Sequence, residues 1–106
     1  MADAGSRVYG PAQPGTSNAT LYTSTGVTTA IRNIHICNAT GSAATISIGI
    51  NGTSATAANC ILSAFSIPAN GVHDWSGFMW LASGDTITGL QGTSSALTVT
   101  ISGVTS

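Results

Sequence analysis

From residue 19 onward, apolar side chains recur at every second position in short stretches. Ile46, Ile48 and Ile50 share one face of residues 44–50, with Thr45 and Ser47 on the other. Leu97, Val99 and Ile101 share a face of residues 96–104, and Thr98, Thr100 and Ser102 take the opposite one. A period of two marks strands with one face buried. A slip of one residue would turn the whole apolar set to solvent, so the register of these two segments is strongly specified.

Turn-forming residues separate the stretches. Gly26, Asn38-Ala-Thr-Gly41, Asn51-Gly52, Pro68 followed by Ala69-Asn70-Gly71, Ser76-Gly77 and Ser83-Gly84-Asp85 all read as breaks. Between them the pattern predicts strands over 20–24, 29–38, 44–50, 59–67, 72–75, 78–81, 86–91 and 96–104. Seven or eight short strands at this spacing predict an all-β chain. The expected architecture is an antiparallel β-sandwich, jelly-roll or immunoglobulin-like, over residues 19–106. The fragments at 18–24 and 38–48 look alike, but their spacing is not sustained, so no repeat array is implied.

Residues 1–18 lack this alternation. Pro11 and Pro14 disfavour a helix or a central strand. The expectation is an extended N-terminal arm that lies along a neighbouring subunit or another protein, with Val8 and Tyr9 as its apolar anchors. Met1 to Tyr9 contains no apolar core of the secretion-signal kind.

Composition narrows the function. The chain has 106 residues, of which Asp3, Arg7, Arg32, Asp74 and Asp85 are the charged ones, giving a net charge of −1. There are 16 Thr, 14 Ser and 13 Gly, and no Lys or Glu. Two arginines make no basic patch, which argues against binding nucleic acid through phosphates. No apolar run approaches the ~18 residues of a membrane helix. Surface charge normally keeps a free monomer soluble and unassociated. Hydroxyl groups must do that here, or partners must cover the surface, as in a permanent assembly.

Few residues could carry chemistry. Cys37 and Cys60 read as free thiols packed like small apolar residues. The alternative is a disulfide, whose loop closure could contribute about 3 kcal/mol. His35, Cys37, Cys60 and His73 offer zinc-type donors, but no CxxC or HxxxH spacing is present, so no metal or other cofactor is expected. His73-Asp74 lacks a GxSxG elbow, and the chain has no Glu for a carboxylate pair, so no catalytic residues are assigned and an enzyme is not expected. Asn18, Asn38 and Asn51 begin glycosylation sequons, a weak signal in a chain this rich in Thr. Trp75, Phe78 and Trp80 cluster within six residues. Alternation puts Phe78 and Trp80 on one face, with Met79 and Leu81 on the other. Trp75 and Trp80 are the candidate anchors of a subunit interface, and sugar stacking is the alternative use of these rings.

Several motifs occur in a recognisable order: Leu21-Tyr22-Thr23, Ile34-x-Ile36-x-Asn38, Gly41-Ser42-Ala43-Ala44-Thr45, Ile67-Pro68-Ala69-Asn70, Gly84-Asp85-Thr86-Ile87 and Thr98-x-Thr100-Ile101-Ser102-Gly103-Val104. In this order and spacing, residues 20–104 resemble a group of small virion proteins of tailed bacteriophages. The resemblance implies a β-sandwich that decorates the capsid or belongs to the tail, with no catalytic residues. A capsid decoration or cement protein is the favoured reading. Its expected partners are the major capsid protein or other virion proteins, and copies of itself, with a trimer favoured. Its place would be the virion, assembled in the host cytoplasm. A tail or tail-tip protein is the alternative within this class. A module binding host-surface carbohydrate through Trp75 or Trp80 is the alternative outside it.

Overall fold

The computed structural model describes residues 4–51, 55 and 59–105. Eight strands follow one another: β1 (Ala4–Ala12), β2 (Ala19–Thr23), β3 (Thr29–Asn38), β4 (Ala44–Ile50), β5 (Cys60–Ile67), β6 (Val72–Leu81), β7 (Thr86–Gln91) and β8 (Leu97–Thr105). Their antiparallel pairing is nested. The first strand pairs with the eighth, the second with the seventh, the third with the sixth and the fourth with the fifth. Two further pairings, β3 with β8 and β4 with β7, join these ribbons into sheets of order β1-β8-β3-β6 and β2-β7-β4-β5. Nested ribbons wound into two four-stranded sheets make the double Greek key of a jelly roll. The expected sandwich is therefore present, and of the two topologies considered it is the jelly roll.

The space between the sheets is filled by aliphatic side chains. Ile31, Ile34 and Ile36 of β3, Ile46 and Ile48 of β4, Ile67, Leu81, Ile87, and Leu97, Val99 and Ile101 of β8 are buried. Branched side chains suit a pleated, buried surface. Complete burial of each contributes about 1.5–3 kcal/mol. No aromatic ring belongs to this fully buried set among the described residues. Tyr9, Tyr22 and Trp75 pack against its margin, while Phe65, Phe78 and Trp80 are exposed.

Buried polar side chains tie loops to strands. Asn38 donates through Nδ2 to the carbonyls of Ser42 (2.8 Å) and Ile67 (3.1 Å), and its Oδ1 accepts from the backbone N–H (3.0 Å) and hydroxyl (2.7 Å) of Thr40. Gln91 holds the other end. Its Oε1 accepts from the N–H groups of Leu97 (2.7 Å) and Ala96 (3.2 Å), and its Nε2 donates to the Pro14 carbonyl. Ser24, Thr29 and Tyr22 form a hydroxyl chain, with both links 2.9 Å long, from β2 of one sheet to β3 of the other.

The structure corrects three expectations. Residues 4–12 are not an arm but an edge strand, paired with β8 from Ala4↔Thr105 to Ala12↔Val99. Val8 and Tyr9 are half-buried against this chain's own core. The pattern hid this strand because its register breaks twice. Gly10 sits at one break with φ 76, where a Cβ would collide with the Val99 carbonyl. Residues 72–81 form one strand, not two, because Ser76-Gly77 marks a slip of register against β3 and not a turn. Cys37 and Cys60 lie on strands of different sheets and are not bridged, as expected, but Cys60 is exposed and Cys37 half-buried, so they are not packed as core residues. The Asn51-Gly52 turn and the rest of its sequon run into residues outside those described.

Candidate functional site

Four large apolar side chains are exposed: Phe65, Val72, Phe78 and Trp80. All four lie on β5 and β6, which are the outer strands of their sheets on the same side of the sandwich. His73 of β6 reaches across to Phe65 of β5, with ring centroids 4.3 Å apart, and closes the seam between the sheets. The exposed large apolar side chains of the described residues are thus gathered along one side of the sandwich.

Alternation on either side of the slip at Ser76-Gly77 builds the patch. Leu81 and Met79 turn inward, against the core. Trp80 and Phe78 turn outward and are 54% and 63% exposed. Their rings lie nearly parallel, 13° apart in plane and 6.0 Å between centroids. Arg32, on the neighbouring strand β3, places its guanidinium carbon 5.9 Å from the Phe78 ring centroid and donates through Nε to the Gly77 carbonyl at 3.1 Å. A cation over an exposed ring contributes about 0.5–1 kcal/mol and also fixes where the charge stands. Further along the same face, His35 Nδ1 lies 2.7 Å from Asp74 Oδ1. The hydrogen bond from His35 holds the Asp74 carboxyl below the ordinary carboxylate range. Val72, 57% exposed, ends the strip.

Of the four anchors expected from the sequence, Trp80 stands on this surface. Trp75 does not: it lies on the inward parity of β6 and packs against the core, as Val8 and Tyr9 do on β1. Phe78 is the larger exposed contributor beside Trp80. The signal for this was the alternation itself, which resumes in the same parity after the slip at Ser76-Gly77. His73 and Asp74 fall on opposite faces of β6, His73 against Phe65 and Asp74 against His35. Asn38, the second sequon asparagine, is fully buried and shut off from any glycan-transferring enzyme. Among the described residues no group of three His, Cys, Asp or Glu side chains is arranged to hold a metal ion, and no helix is long and apolar enough to cross a membrane.

No protein-family model matches the chain, and no curated protein does. Among solved structures, a chain in the structure of the Gt strain of infectious bursal disease virus aligns with a TM-score of 0.43 and 10% identity, over 98% of this chain and 29% of that one. A chain from the Gx strain aligns with a TM-score of 0.44 and 11% identity, over 97% of this chain and 30% of that one. The protein thus spans less than a third of the length of either.

Proposed function

We propose that this protein is a structural component of a virus particle, a capsid decoration or cement protein of a tailed bacteriophage. The observation that carries the reading is the gathering of every exposed large apolar side chain of the described residues onto β5 and β6, in a chain with only five charged residues. Contiguous exposed apolar surface marks sites of association. The ordered motifs of residues 20–104 and the jelly-roll topology, which recurs in viral capsid domains, support it, the fold by analogy alone.

The mechanism is mechanical. Each copy covers apolar surface on neighbouring capsid proteins, at about 25 cal/mol per Å² buried. Many copies acting together turn modest contacts into firm attachment. Few charges are involved, so attachment should be nearly insensitive to salt. A tail or tail-tip position is the second reading within this class. Carbohydrate binding is favoured by one observation, the parallel exposed rings of Phe78 and Trp80, whose faces suit the C–H face of a sugar.

The test is rebinding of the purified protein to phage heads stripped of the native copy, followed by heating. Saturable binding in molar NaCl, with heads that rupture at higher temperature, is the expected result. Heads that neither bind the protein nor gain heat resistance would exclude the cement role.

A further inference from the structure

Arg32 sits where two irregularities of register meet. Its neighbours Ile31 and Asn33 pair with Gly103 and Ser102 of β8, which leaves Arg32 as an extra residue bulged out of that ladder. On the other side the same neighbours pair with Met79 and Ser76 of β6, so Gly77 and Phe78 together stand opposite Arg32. A bulge re-aims a side chain out of the regular pleat. Here it lays Arg32 along β6. Nε donates to the Gly77 carbonyl at 3.1 Å, and the guanidinium carbon lies 5.9 Å from the Phe78 ring centroid. The Trp80 ring follows, nearly parallel to that of Phe78.

The charge held there is uncompensated. Among the described residues no carboxylate pairs with Arg32: Asp74 is taken by His35, and Asp85 accepts from the Ala82 N–H. The strip therefore carries a mutually paired acid and base at one end and a positioned, unpaired cation at the other, beside two exposed rings. With Nε engaged, the N–H groups of both terminal nitrogens remain to meet the two oxygens of a carboxylate, the planar match that favours arginine in interface ion pairs. A wholly apolar partner laid over this face would strand the guanidinium away from water, which is costly unless the charge is paired. Whatever covers Phe78 and Trp80 must therefore bring an anion to Arg32.

We infer that Arg32 is the specificity anchor of this docking face, and that the partner is a protein surface presenting an Asp or Glu carboxylate within an apolar patch. The carboxylate takes the guanidinium, while Phe78 and Trp80 pack on the surrounding apolar surface and keep the pair from water. This assignment rests on the reading that virion neighbours cover the face, and it adds what the neighbour must carry. Trp and Arg are the side chains most enriched among interface hot spots. A pair closed off from solvent is weakly screened, so it is compatible with attachment that survives molar NaCl.

The test is titration of stripped phage heads with the purified protein and its variants. Arg32→Gln should weaken binding by about tenfold or more, and Arg32→Glu further, without loss of cooperative folding. Arg7→Gln, on β1 at the opposite edge of the same sheet, should bind within about twofold of wild type. Converting the carboxylates of the heads to amides, with a carbodiimide and glycinamide, should lower wild-type binding to the Arg32→Gln level. It should leave Arg32→Gln binding unchanged, because one pair cannot be lost twice. Arg32→Gln binding as tightly as wild type overturns the inference, as does amidation that weakens both proteins equally. A wild-type dimer in sedimentation equilibrium that Arg32→Gln splits also overturns it and makes a second copy the occupant. Saturable quenching of tryptophan fluorescence by oligogalacturonate, lost in Arg32→Gln, overturns it in favour of an acidic sugar. Heads that bind neither wild type nor variants overturn the cement reading and this inference together, whereas heads that bind all of them equally overturn this inference alone.

Discussion

Gln91→Met is the sharpest single test of how this small sandwich is held closed. Gln91 is fully buried at the end of β7. Its side chain satisfies the Pro14 carbonyl and the N–H groups of Ala96 and Leu97, all on buried residues. Methionine keeps the volume and removes all three bonds. Each buried group left unpaired costs about 1–3 kcal/mol. Because the two N–H groups share one oxygen, a total of about 3–5 kcal/mol is expected. A domain of this size has about 5–15 kcal/mol in all. The variant should therefore lose a large share of its stability and melt about 15–30 °C lower. Urea unfolding followed by tryptophan fluorescence measures the loss directly. Amide exchange in β1 should also accelerate, because the Pro14 contact helps to hold the segment that leads out of β1. A loss below about 1 kcal/mol, with unchanged exchange in β1, would refute the role given to Gln91.

Other outcomes follow from the same packing. Val99→Asp should fail to fold, since Val99 is fully buried and an unpaired charge there has no partner; a soluble, cooperatively melting variant would show the face to be misassigned. Thr88→Val should be neutral or stabilising by about 1 kcal/mol in the same urea assay, because the Thr88 hydroxyl is buried without a partner among the described residues. Burial raises the pKa of Tyr9 above 10.0; a raised folded-state value gives stability that is complete below the ordinary value and fades as pH climbs through the folded one, so Tyr9→Phe should melt with less alkaline sensitivity than wild type. Deleting residues 4–12 should abolish cooperative folding, seen by circular dichroism, because β8 would lose the partner on one side.

The pattern of residues was most informative where alternation is unbroken. β4 and β8 lie where Ile46, Ile48, Leu97, Val99 and Ile101 predict them, with those faces inward. It misled where a bulge interrupts the period. Gly10 and Pro11 disguise β1 as an arm, and Ser76-Gly77 looks like a turn although β6 runs through it. Gly103 shows what a local pattern leaves out: a Cβ there would strike the Ala30 carbonyl of β3, a close approach set by the pairing of β3 with β8. The patch was half legible. Parity placed Phe78 and Trp80 together, but the false break at 76–77 left Trp75 without a face. Nothing local announces Gln91 or Asn38 as clamps between distant segments, because Pro14 and Ile67, the far partners they hold, lie 77 and 29 residues away in the chain.

A cryo-electron-microscopy map of the intact phage particle tests the central claim most directly. The account predicts jelly-roll density for this chain on the outer shell, repeated across the capsid lattice, with its exposed apolar strands β5 and β6 covered by neighbouring subunits. Particles that contain no copy of the chain would contradict it, as would a copy whose Phe78–Trp80 face stands open to solvent.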